Sequence, residues 1–191
     1  MPKRVLYLIR NGEYHRDIMD EDFNAPLTER GVEQAQRTGR ALKGLPIQTI
    51  YTSPHKQTGA TANWIRESLP DTDFFTADKL KQYPSSSVGR TFTRELILKA
   101  MEDTSNEDQM EAAFNQFFQP ATETDIHEML ICHGNIIVDL VCHATKVNSN
   151  TWSHMLINNC SINIISIESE DKMNLVGFND VRHLPDNLRT D

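Results

Sequence analysis

Residues Val5-Leu6-Tyr7-Leu8-Ile9 form an unbroken apolar run that stops at Arg10-Asn11-Gly12. Such a run cannot alternate between core and solvent, so a strand made from it must be covered on both faces. That requirement is met by an α/β domain, and the rest of the chain agrees. Short apolar runs alternate with longer helical patterns, which points to a largely parallel sheet. Strands are expected at residues 4–9, 49–52, 128–132, 162–168 and 173–178. Thr28 is a candidate N-cap for a helix that ends at Lys43, with Gly44 as its stop. A second helix should run from Gln57 to Leu69, ahead of Pro70, and a third from Asn106 to Phe118. A fourth should begin just after His133-Gly134, so that His133 stands where a helix N-terminus presents backbone donors to an anion. Residues 71–105 carry Ser85-Ser86-Ser87 and Gly89, and read as an insertion or lid over the mouth of a site.

At 191 residues a single domain spanning 1–191 is expected, large enough to bury a sound core. A net charge of −8 argues against nucleic acid as a partner. Cys132, Cys142 and Cys160 are widely spaced and read as buried thiols of a reducing compartment. No stretch approaches the ~20 apolar residues of a membrane span, and the N-terminal run is too short for a signal peptide. A soluble, cytoplasmic chain without a membrane anchor is therefore the default expectation. The remaining histidines do not group at metal-ligand spacing, and no Gly-rich nucleotide loop is present, so no metal or cofactor is expected. Trp152 with Met155-Leu156 could form an apolar patch for a homo-oligomer, or could equally sit in the core.

Several motifs follow one another in a familiar order. Arg10-Asn11-Gly12-Glu13 is extended by Tyr14-His15. Leu27-Thr28-Glu29-Arg30-Gly31 leads to Gln34-Ala35, Ser53-Pro54 follows the second strand, and Ile131-Cys132-His133-Gly134-Asn135 follows a later one. Asn158-Asn159 with Ser161-Ile162, and the tail from Gly177 to Pro185, complete the set. Together they resemble the histidine phosphatase (phosphoglycerate mutase-like) superfamily, and within it the serine/threonine phosphatase branch of phosphoglycerate mutase family member 5. The resemblance implies a three-layer α/β/α sandwich with a mostly parallel central sheet. It also implies a phosphate pocket of two Arg and two His side chains, in which one His takes the phosphoryl group and a carboxylic acid protonates the leaving alkoxide.

Carried across residue by residue, that machinery is incomplete. Arg10 holds the first Arg position and His133 the second His position. Asn11 stands at the nucleophile position, and an amide nitrogen cannot carry a phosphoryl group. The second Arg falls at Gln57; Lys56 beside it points about 100° away around a helix, and His55 and Lys56 read as solvated. The acid falls at Gln82, and the alternative acid position after His-Gly is Asn135. A further Arg of this branch is Val138. A deliberate trapping change would alter one residue, so four neutral replacements point to a natural pseudoenzyme. On this reading the chain is a catalytically inactive binding or regulatory module for an unknown protein partner or phosphorylated ligand, with Arg10, Asn11, His133 and Asn135 as the residual phosphate pocket. The alternative is a slow or non-standard phosphomonoesterase or serine/threonine phosphatase, in which Glu13 or His133 activates water without a covalent intermediate.

Overall fold

The apolar run at the N-terminus becomes strand β1 (Arg4–Arg10), the centre of a six-stranded sheet. The structure is a computed structural model that describes residues 2–15, 24–82, 105–148 and 155–191. Its strands are β1, β2 (Thr49–Thr52), β3 (Asp73–Thr76), β4 (Ile126–Cys132), β5 (Ile162–Ser169) and β6 (Lys172–Asp180), in the order β3-β2-β4-β1-β5-β6. The first four in that order are parallel, whereas β5 runs antiparallel to β1 and pairs with β6 as a hairpin. The expected mostly parallel sheet is thus closed on one side by an antiparallel edge.

Both faces of β1 are buried, as its composition demands. Leu6 and Leu8 pack with Leu130, Cys132 and Ile165 against helices α3 (Ser105–Phe117) and α4 (Gly134–Thr145), which contribute Phe117, Ile137 and Leu140. Tyr7 and Ile9 pack with Met129 and Ile131 against α1 (Glu29–Leu42) and α2 (Lys56–Arg66), which contribute Ala35, Leu42, Ala62 and Ile65. Two helical layers therefore enclose the sheet. All three thiols are buried, and burial pushes those of Cys132 and Cys160 up to about 12.

Local signals account for α1. The Thr28 hydroxyl accepts from the Gly31 N–H at 3.0 Å and donates to the Glu13 carboxylate at 2.8 Å. The cap thereby ties the helix to the turn that follows β1. Two glycines permit this crossing: a Cβ at Gly31 would lie 1.9 Å from the Glu13 carbonyl oxygen, and one at Gly12 would lie 2.7 Å from that of Gly31. Gly44, expected as the stop, has φ +87°, the left-handed conformation that glycine adopts without strain.

Two differences from the sequence reading have clear causes. Asp73–Thr76 is an edge strand, not part of an insertion; its residues are largely exposed, so it lacks the apolar signal of a core strand. Residues 83–104, where the rest of the expected insertion falls, lie outside the described residues. So do Trp152 and His154. Of the suggested apolar patch, Met155 packs against the core and Leu156 is exposed. Among the described residues, no helix is long and apolar enough to cross a membrane.

Candidate functional site

The parallel strands end level with one another. Arg10 pairs with Cys132 across β1 and β4, and Thr52 pairs with Ile131 across β2 and β4. Asn11, His133 and Ser53 consequently follow one another across the carboxyl edge of the sheet, where open α/β sheets bind their ligands. Backbone bonds hold each strand end: Asn11 N–H donates to the Cys132 carbonyl at 2.9 Å, and Ser53 N–H donates to that of Ile131 at 3.0 Å.

Asn11 is buried and its side chain turns inward, donating to the Gly12 carbonyl at 3.0 Å. Its own carbonyl accepts from the Asn159 amide at 2.9 Å, which explains why an Asn belongs at the start of the β5 approach. Asn159 in turn accepts from the Thr190 hydroxyl, so the C-terminal segment helps fix the turn around residue 11. Gln34 on α1 adds a second tie: its Oε1 accepts from the Glu13 N–H at 2.8 Å, and its Nε2 donates to the Leu188 carbonyl at 2.7 Å.

Arg10 leaves the last position of β1 and donates through Nη1 to the Ile157 carbonyl. Its side chain lies along the start of α4; a Cβ at Gly134 would stand 3.4 Å from both Cδ and Nε of Arg10. Glycine at 134 keeps that approach open. The guanidinium therefore shares the N-terminal end of α4, whose unpaired amides carry partial positive charge. His133 occupies the N-cap position of α4 and is buried. Asn135 is buried in the first turn of the same helix.

His55 departs from expectation. Sequence reading makes it solvated; instead it is 7% exposed and enters the site. The Ser53 hydroxyl oxygen lies 3.0 Å from His55 Nδ1 and 3.0 Å from His133 Nε2. The two imidazoles meet edge to face, with centroids 4.8 Å apart and planes at 80°. The signal for this was present as Ser53-x-His55 directly after a short strand, but only the register of β2 on β4 shows that it faces His133. Lys56 is exposed, as expected.

The other family positions are distributed unevenly. Gln57 is fully buried in the first turn of α2, on the inner side of the helix. Val138, on α4, is buried in the hydrophobic core. Gln82 is the last residue described before position 83, and its buried Oε1 meets no donor among the described residues. Glu13 turns away from the strand ends: one carboxylate oxygen accepts from Thr28 and the other pairs with Arg30 at 3.1 Å. Of the two bases considered from sequence, only His133 remains at the site. His15 is exposed.

Burial holds the His133 imidazole well below the ordinary histidine range, and the positive charges of His55 and Arg10 act in the same sense. His183, whose Nε2 lies 2.9 Å from the Thr38 hydroxyl, is also lowered by burial. In the unfolded chain such rings titrate near about 6.5. Below that pH the unfolded state takes up protons that the native rings refuse, so stability falls as pH falls. The limiting slope is about 1.4 kcal/mol per pH unit for His133, and His183, a half-buried ring, adds less. Denaturant unfolding followed from about pH 7.5 down to about 5.5 should show this loss, and a His133→Gln variant should show a flatter curve. An identical slope in that variant would mean that His133 titrates alike in the folded and unfolded chain.

Comparison with known proteins agrees with the geometry. Residues 6–83 match the family model described as histidine phosphatase superfamily (branch 1). The chain is 31% identical over 188 residues to the mitochondrial serine/threonine-protein phosphatase PGAM5 of Xenopus tropicalis, covering 95% of this chain and 66% of that protein. It is 30% identical to the PGAM5 of Xenopus laevis, covering 95% and 67%. The chain thus spans about two thirds of the length of these curated relatives. The phosphoglycerate mutase of Bacillus anthracis shares the fold, with a TM-score of 0.75, 18% identity and 95% of each chain covered.

These relatives correct the reading of the chain as a pseudoenzyme. The curated relatives carry the names of phosphatases and the structural neighbour that of a mutase, so the comparisons point to an enzyme. The replaced positions leave aside a second histidine, His55, which Ser53 brings beside His133. Motif order, strand register and the alignment of nearly the whole chain have one explanation: it belongs to the histidine phosphatase superfamily, alongside the PGAM5 serine/threonine phosphatases.

Proposed function

We propose that this chain hydrolyses phosphomonoesters, with phosphorylated serine or threonine side chains as the substrate class, and that it does so by direct attack of water. The observation that carries this reading is His133, buried, held neutral and set at the N-terminus of α4 beside Arg10. A neutral imidazole has a lone pair for a water proton, which an amide at position 11 does not supply. Arg10 and the first amides of α4 offer converging donors to the phosphoryl oxygens. Asn11 at the end of β1 and Asn135 in the first turn of α4 are buried neutral amides. Membership of the phosphatase family supports the reaction class, and the names of the relatives support the substrate class.

The test is phosphate release from a phosphoserine peptide and from a chromogenic phosphoester, across about pH 5 to 8 and in water enriched in heavy oxygen. Turnover is expected, with one solvent oxygen in each phosphate and no phosphorylated protein after a rapid quench. Absence of phosphate release above the buffer blank from both substrates would overturn the reading.

A further inference from the structure

The strand-end geometry leaves one question for the proposed hydrolysis, on which this inference rests. Attack by water releases a proton, and the departing alkoxide needs one. Both family positions for the acid, Gln82 and Asn135, are amides. The geometry points to a relay that serves both needs: His133, Ser53 and His55 form a proton-transfer chain across the carboxyl edge of the sheet.

Ser53 is 1% exposed, and its hydroxyl oxygen stands 3.0 Å from one nitrogen of each ring. A hydroxyl has one proton, so it can donate to only one of two neutral imidazoles. The other ring must donate its own N–H to the oxygen. If His133 carries its proton on Nε2, Ser53 accepts it and donates to His55 Nδ1, which places the His55 proton on Nε2. The inverse arrangement puts both ring protons on Nδ1. The two rings therefore hold the same tautomer and change it together, and the hydroxyl is the coupling atom.

The surroundings disfavour a doubly protonated His133 ring. Positive charge on His133 is opposed by burial, by His55 and by Arg10 from β1. A proton that arrives on His133 is thus driven onward. In the hydrolytic step, a bond forms between the water oxygen and phosphorus as the bond from phosphorus to the ester oxygen breaks. The water proton goes to His133 Nδ1, the His133 Nε2 proton to Ser53, and the Ser53 proton to His55 Nδ1. His55 then releases its Nε2 proton to the alkoxide. Both rings finish neutral in the Nδ1–H form, and exchange with solvent restores the starting tautomers. Heavy atoms hardly move, because the bridging distances are already those of hydrogen bonds.

Ring nitrogen NMR on the 15N-histidine-labelled protein reads the coupling without reference to activity. His133 and His55 should show matching tautomers in the neutral protein, and Ser53→Ala should let them differ. Distinct tautomers in the unaltered protein would overturn the relay. In the kinetic arm, Ser53→Ala and His55→Gln should each lower kcat by roughly 10²-fold with KM within about twofold. Ser53→Thr, which keeps the hydroxyl, should recover most of the rate. The rate in mixtures of light and heavy water should curve in the unaltered protein, as for several protons in flight, and become linear in Ser53→Ala. Normal kcat and unchanged tautomers in Ser53→Ala would sink the relay while leaving hydrolysis intact. Matching tautomers in a protein that releases no phosphate would support the proton chain and overturn the proposed function instead.

Discussion

Asn11→His is expected to change the kinetic mechanism, from direct attack by water to transfer through a phosphorylated histidine. The substituted ring stands at the end of β1, opposite His133 across the β1–β4 register. The backbone around residue 11 should tolerate the change. Its N–H and carbonyl bonds, to Cys132 and from Asn159, do not depend on the side chain. The one side-chain bond lost is the local donation to the Gly12 carbonyl, worth about 1 kcal/mol. An imidazole there supplies the in-line nucleophile that an amide cannot, an effect of roughly 10² to 10⁴-fold in rate. Adding Gln57→Arg should raise the rate further and also leave a signature in stability. Position 57 is fully buried, so a guanidinium there is costly without an anion and relieved by one. The double variant should therefore melt below the parent in plain buffer and rise in Tm with added inorganic phosphate more steeply than the parent does. The measurements are a rapid quench for acid-labile, base-stable phosphoprotein, kcat on a chromogenic phosphoester, and Tm against phosphate concentration. A variant that is folded, binds phosphate and forms no phosphoprotein would show that residue 11 is not aligned for attack.

The fold was legible where its causes are local. The Val5–Ile9 run announced a strand buried on both faces, and Thr28 and Gly44 marked the ends of α1 through cap chemistry local to the helix. What escaped were features whose reason lies elsewhere in the chain. Asp73–Thr76 is a strand because β2 offers it an edge, not because its own residues are apolar. His55 and Lys56 look alike as adjacent polar residues before a helix, yet one is buried against Ser53 and the other is exposed. Only the register of β2 on β4 separates them. The same limit misled the functional reading. Motifs singled out Arg10, Asn11, Gln57 and His133, two of them amides. A side chain brought in from another element, as His55 is, carries no motif of its own. Glu13 failed in the opposite way: its position beside Gly12 suggested a base, but Thr28 and Arg30 occupy both carboxylate oxygens.

Arg10→Gln is expected to cause the largest loss among single changes in the unaltered pocket, roughly 10² to 10³-fold in kcat/KM. The residue brings a full positive charge to the phosphoryl site, held in place by its bond to the Ile157 carbonyl and by contact with Gly134. Glutamine can retain one donor but no charge, and a charge-assisted bond to phosphate is about twice as strong as a neutral one. Arg10→Lys should recover only part of the loss, because an ammonium cannot present the planar pair of donors. The decisive readout is the pH profile. Arg10 is one of the charges that oppose protonation of His133, so its removal should raise the pKa of that ring toward the ordinary value. Protonated His133 cannot accept the water proton, and the acid limb of kcat/KM should therefore move to higher pH. A residue that served only to brace Ile157 would lower stability and leave the limb in place. Displacement of the limb together with the fall in kcat/KM would tie Arg10 to both the phosphate and the base. A wild-type profile and rate would place the phosphate site elsewhere on the molecule.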